Sequence, residues 1–427
     1  MIKKTLLFVF VCLIVITSDP RAVFADSAGA ATVKTLSLDE AIRLALDHYS
    51  DLKLSNWKVA ENDAHLSYIT SVKKKLEDKN VTAASSLLSV SFNDFLKSIP
   101  NYDQLSDEDK AGVQQSITLQ IMINTSINQW IQAQTVSQNS YNQELKNSQL
   151  LEYSDQLRSL ESNQTLSRLE IQKSEALVRY DTIQKYYQLC SSQMNIEYQQ
   201  KDKQYLDTQA DDALVLYNAG LLPKKDLEAA QVKAQQQETA IERNLGSLKA
   251  QKELFKQELG LSAFSEIIFS PPALPAIPKP GSFSTVIKIE DSLELKEQDA
   301  KVKLAQDNYD AVLPSEIELK NYYHVLWSSQ LEQRTILQQQ LELKLTGYKS
   351  EANDLCQRNV QLLEDYSRIE QALKDIRTLN SMGLASLAEV DKTVQQLNQS
   401  NQQMDSLKYE YLIFLEKVNL AVKGVVI

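Results

Sequence analysis

The chain is 427 residues long and carries a formal charge of −11, from 45 Lys and Arg against 56 Asp and Glu. That acidic balance argues against nucleic acid or an anionic membrane surface as the main partner. Only 9 Gly and 9 Pro occur, and because these residues punctuate turns, their scarcity predicts few turns, long elements and a mainly helical chain.

Residues 1–25 read as a secretory signal. Lys3 and Lys4 make a charged start, Thr5 to Ile16 is apolar, and Val23-Phe24-Ala25 puts small residues at the −3 and −1 positions. The apolar run is short for a membrane span, and an uncleaved anchor is the alternative. Cys12 lies inside that run behind Val11, which argues against a lipoprotein. Cleavage after Ala25 removes three basic residues and one acid, taking the charge from −11 to −13. No later segment approaches the length of apolar chain that a transmembrane helix requires.

Beyond the signal, Ser37 as cap with Glu40 at the capping-box position opens a helix through Leu46. A second amphipathic stretch begins at Asp51-Leu52 and runs through Trp57, Ala60, Ala64 and Ile69. Residues 80–125 are ambiguous. Leu88-Ser-Val90-Ser-Phe92 and Ile117-Thr-Leu119-Gln-Ile121-Met-Ile123 alternate like strands with one apolar face, yet parts also fit helical spacing. In the second half only Ile317-Glu-Leu319 alternates, so residues 85–125 and 315–320 stay open between strand and helix.

From Leu166 to Tyr205 apolar residues recur near successive a and d positions, among them Tyr180, Ile183, Tyr187 and Cys190. The tyrosines on this seam read as bundle packing rather than a ligand stripe. The helix runs into Tyr217-Asn-Ala-Gly220-Leu221, and Pro223 with Asp226 starts the next one. The second half repeats this: Asn380-Ser-Met-Gly383-Leu384 is followed by Ser386-x-x-Glu389, a capping box. The helices after the turns match in phase at an offset of 163. Leu227, Ala234, Ile241, Leu248 and Phe255 answer to Val390, Leu397, Met404, Tyr411 and Val418, a spacing of seven that specifies left-handed coiled-coil packing. Leu245 is read as part of the first seam.

Five of the nine prolines crowd into Ser270–Gly281, which excludes helix and favours a semi-rigid connector. The chain then divides into a signal peptide (1–25), a first repeat (26–269), the Pro-rich connector (270–281) and a second repeat (282–427). The expected fold is mainly α: internally duplicated, long antiparallel coiled-coil hairpins with strands reduced or absent.

These residues resemble the TolC family of outer-membrane efflux and secretion channels. The likeness lies in Ser37-Leu-Asp-Glu-Ala-Ile with Asp51-Leu52, in Tyr186-Tyr-Gln-Leu189, in the two Gly-Leu turns with their acidic residues, and in the Pro-rich join. The resemblance implies a homotrimer forming a hollow helical conduit or scaffold. Its partners would be a membrane-fusion adaptor protein and an ABC-type or proton-driven pump, working in export, with no cofactor. Gly220, Leu221, Asp226, Gly383, Leu384 and Glu389 would be the docking tips, although the glycines also read as plain helix caps. A family protomer supplies four membrane strands, each needing ~9–11 alternating residues, and this chain offers at most three short candidates. The resemblance is thus to a barrel-reduced member. It would sit in the outer membrane if a barrel is retained, and otherwise outside the cell or in the wall region of a cell lacking an outer membrane. The alternative is an extracellular coiled-coil structural protein without conduit function.

No pattern of residues points to catalysis. His48, His65 and His324 are scattered, without metal-ligand spacing, and no phosphate loop, nucleophile elbow or Cys-x-x-Cys occurs. Lys73-Lys-Lys75, Lys224-Lys225 and Asp211-Asp212 read as solvated faces. Cys190 and Cys356 either pair in an oxidising compartment or, as both fall in helical patterns, stay buried as free thiols.

Overall fold

The computed structural model describes residues 33–262, 266–282 and 287–427; the signal-peptide reading and Cys12 lie outside the described residues. The described chain is mainly helical. Strand β1 (Val33–Leu36) leads into α1 (Leu38–His48) and α2 (Ser50–Glu77). An extended segment and the short α3 (Phe92–Lys97) precede α4 (Asp107–Asn218), which turns into α5 (Lys224–Glu258) and β2 (Glu266–Phe269). After the Pro-rich segment come α6 (Leu293–Ala311), α7 (Ile317–Ser381) and α8 (Leu387–Val422).

Each half has one long helix bridging two shorter ones. At 112 residues, α4 is a rod of roughly 170 Å. It pairs antiparallel with α2 along its middle, where Lys58 faces Glu170. Along its last part it pairs antiparallel with α5, where Lys185 reaches Glu258 at 2.9 Å. The long helix α7 does the same with α6, through Arg334 and Asp299, and with α8, through Arg358 and Glu410. The halves join side by side through α4 and α8. There the Tyr198 hydroxyl donates to Asp405 at 2.9 Å, and Asn195 accepts from Gln402 and Ser406.

The heptads sit where seven-residue spacing puts them. Leu227, Ala234, Ile241, Leu248 and Phe255 are all buried on α5, and Thr393, Ser400, Leu407, Phe414 and Ala421 form a buried series on α8 beside Val390, Tyr411 and Val418. Leu245 departs from the expected seam and is 44% exposed. The half-buried companions of the α5 series, Ala230, Gln237 and Asn244, each lie three residues after a buried one, and Leu245, four after Ile241, falls just outside the seam.

The repeat extends to the far ends of the returning helices. Gly260 and Gly424 both take positive φ, and the following residues, Leu261 and Val425, bond back to Lys256 and Leu420. The main chain at Gly424 is close-packed: its carbonyl accepts from Leu293 N at 2.6 Å, and a Cβ there would lie 2.5 Å from the Asp291 carbonyl oxygen.

The ambiguous segments resolve mostly to helix. Ile117–Ile123 lies inside α4, Ile317–Leu319 opens α7, and Leu88–Ser91 is extended without a partner strand before Phe92 starts α3. Among the described residues the strands are β1 and β2, four residues each, paired in parallel with Leu36 against Phe269. Alternation at residues 117–123 did not make a strand because each apolar residue also falls on helical spacing and no second strand is near to pair with it. The strands that did form are too short for sequence alternation to mark.

The core gathers where this small sheet meets α1, α4 and α5. Tyr186 on α4 is fully buried, and its hydroxyl lies 2.8 Å from the carbonyl oxygens of both Leu36 and Ser270, donating to them. Phe269 meets its ring edge-on at 5.2 Å. In the second half Tyr348 repeats the arrangement, its hydroxyl donating to the Ile427 carbonyl and accepting from the Ile427 N–H. Cys190 and Cys356 are both free and buried. Burial pushes the Cys190 thiol up to about 12.

Replacing Tyr186 by Phe keeps the ring and removes the hydroxyl's bonds to two carbonyls, of which Leu36 keeps the Ser270 N–H, so denaturant unfolding is expected to show a loss of ~1 kcal/mol. In the folded protein at pH 8 Cys190 is expected to resist alkylation, with rapid labelling only in denaturant; fast native labelling would contradict the buried, protonated thiol.

Candidate hairpin tips

Both hairpin turns are built alike. Gly220 and Gly383 have φ of +74° and +73°, the left-handed conformation that ends a helix and that a side chain disfavours. The following leucines close each turn: Leu221 N–H bonds the Leu216 carbonyl at 2.9 Å and Leu384 N–H the Leu379 carbonyl at 2.8 Å. This six-residue closure satisfies carbonyls that a bare helix end would leave open.

Helix starts differ between the tips. Ser386 caps α8 in a complete capping box: its hydroxyl accepts from Glu389 N–H at 3.3 Å, and its own N–H donates to the Glu389 carboxylate at 2.8 Å. That main-chain hydrogen bond, aided by the Ser386 hydroxyl, holds the Glu389 carboxyl below its ordinary range. In the other turn Pro223 occupies the cap position without a side-chain bond, and Asp226 lies in the first turn of α5, where its charge suits the positive end of the helix dipole.

The Tyr198–Asp405 bond ties α4 to α8 at a similar distance from both turns, so Gly220 and Gly383 lie at one end of the molecule. Burial, with Asp405 beside it, pushes the Tyr198 hydroxyl up to about 12, so it stays a donor throughout the neutral range. The six residues singled out from sequence therefore gather at one end in two matched turns. Leu221 and Leu384 are 74% and 73% exposed, and no atom lies within 4 Å of where a Cβ would stand on either glycine. Exposed apolar residues beside them, Val215 at the first tip and Met382 and Leu387 at the second, escaped the sequence reading.

No family model matches the sequence, and no curated protein matches it. Solved structures do match in fold. CusC, described in relation to folding and transmembrane channel formation, has a TM-score of 0.57 at 10% identity, over 91% of this chain and 92% of its own. The Campylobacter jejuni CmeC outer membrane channel gives 0.56 at 11% identity, over 91% and 85% of the two chains. The open state of the Neisseria gonorrhoeae MtrE outer membrane channel gives 0.54 at 9% identity, over 91% and 89%. The chain shares the fold of these channel protomers across nearly all of its length.

Gly383→Ala is expected to cost ~1 kcal/mol in denaturant unfolding from backbone strain alone, since the new methyl meets nothing. A carboxyl with a depressed folded-state pKa stabilises above its unfolded pKa, and the contribution fades as pH falls through the folded value. NMR titration is thus expected to give Glu389 a pKa below ordinary Glu, raised only partway by Ser386→Ala, which removes the hydroxyl and keeps the main-chain donor.

Proposed function

We propose that this chain is a TolC-type protomer, and that copies of it build a trimeric helical conduit in the cell envelope for export. The adaptor of the export system docks on the turns at Gly220 and Gly383, delivering cargo from an inner-membrane pump. The observation that carries the reading is the pair of matched tips, each presenting a bare leucine, on a fold shared with outer membrane channels.

Surface area supports assembly. The chain exposes 28683 Å², whereas a compact monomer of 48.4 kDa would expose about 17,000 Å². Long rods side by side leave apolar flanks that further copies can cover. Among the described residues no helix is long and apolar enough to cross a membrane, and the paired strands are four residues long. We therefore place the working end at the helical tips and leave the opposite end without a large strand barrel.

Double substitution Leu221→Asp with Leu384→Asp puts charge on both tips at positions that pack against nothing. Export and crosslinking to the adaptor are expected to fall at least about tenfold, with the melting temperature unchanged. Wild-type export by this variant would sink the docking assignment. Light scattering that finds a strict monomer, alone and with adaptor, would sink the conduit and favour a structural coiled-coil protein instead.

A further inference from the structure

Residues 78–146 form a projection with no counterpart in the second repeat. With the turns 163 residues apart, the first residue of α7, Ile317, corresponds to Ser154 of α4. The stretch of α4 from Asp107 to that point runs roughly 70 Å past the end of the second long helix. None of the apolar core clusters of the described residues takes a member from between Asp47 and Arg168.

One face of the projecting helix is covered, and the cover is polar. Asn124, Asn128, Asn139, Asn142 and Lys146 share a face and bond the main chain of the extended segment 77–91. Asn128 both donates to the Leu88 carbonyl and accepts from its N–H, each at 2.8 Å. Asn124 donates to the Ser89 carbonyl, Asn139 accepts from Ala83 N–H, and Asn142 and Lys146 reach the carbonyls of Val81 and Lys79. Side-chain amides thus stand in for a neighbouring strand.

A different face carries an apolar stripe. Leu119, Ile123, Ile127, Trp130, Tyr141 and Leu145 fall on one side of the helix, between 39% and 62% exposed. Charge is absent along the same length. No Asp, Glu, Lys or Arg occurs from Ala111 to Gln143, nor from Asn80 to Asn93, in a chain of net −11.

We propose that this stripe is the seam on which a second copy of the chain packs, with the projections parallel and in register. Two copies of an acidic chain repel over most of their surface, and this stretch has nothing to repel. Parallel packing in register sets Ile123 against Ile123 and Trp130 against Trp130, apolar on apolar. Lipid is the poorer occupant: Gln134 and Ser137 interrupt the stripe between Trp130 and Tyr141, Gln120 and Gln138 edge it, and hydrocarbon offers their polar groups no partner. The proposal rests on the oligomeric conduit reading and adds where its copies hold together.

The test uses the full chain with single substitutions. Trp130→Cys is expected to give a 130–130 disulfide-linked dimer under mild oxidation, and Thr125→Cys, on the far side of the helix, none. Ile123→Glu is expected to weaken self-association about tenfold or more, while Thr125→Glu leaves it unchanged. An oligomer that forms without 130–130 crosslinks, or that ignores Ile123→Glu, overturns the seam and spares the conduit. A wild-type chain that stays monomeric overturns both. Flotation with phosphatidylcholine vesicles that Ile123→Glu abolishes would make the stripe a lipid face and overturn the proposal.

Discussion

A single buried hydroxyl holds the middle of this molecule. Tyr186 lies on the longest helix and bonds main-chain carbonyls at Leu36, from the start of the described chain, and at Ser270, where the Pro-rich segment begins. Segments far apart in sequence meet there, and the two-stranded sheet closes around the ring. Burial raises the Tyr186 pKa, so the proton that makes the bonds is retained across the working pH range. A phenol in such a site must be hydrogen-bonded or it costs stability, which makes the junction selective for one arrangement of strands and helices. Tyr348 does the same for the second half at Ile427.

From that fixed point the rest follows as geometry of rods. Because α2 and α5 share α4, and α6 and α8 share α7, each half is a two-ply rod with one unbroken member. Unbroken helices carry position over long distances, since a helix packed along one seam resists bending and sliding. The tips therefore sit at a defined distance from the junction, side by side, with leucines held outward by the Gly turns rather than by packing.

Much of this was legible in residues. Seven-residue spacing from Leu227 to Phe255 and from Val390 to Val418 predicted two equivalent returning helices; the first seam is buried apart from Leu245, whereas in the second Leu397 and Met404 are only half-buried. The Gly-Leu turns were readable because left-handed backbone at a helix end leaves a distinct local signature. Segments 117–123 and 317–319 were not readable, because a short apolar alternation satisfies both periods and only the presence of a pairing strand decides between them. The tyrosines read as packing, and for most of them that is the structure's use. Tyr186 and Tyr348 differ through what their hydroxyls meet, which spacing along one helix does not encode.

Local rules acting within a few turns of chain determined the helices, their caps, the duplication and the coiled-coil phase, since those rules depend on neighbours in sequence. Contacts between residues tens to hundreds of positions apart decided the rest. They join α4 to α8 so that both tips share an end, they pair Leu36 with Phe269, and they lay residues 78–91 along an asparagine face in place of a strand. Such contacts depend on which surfaces are brought together, and that is a property of the folded chain.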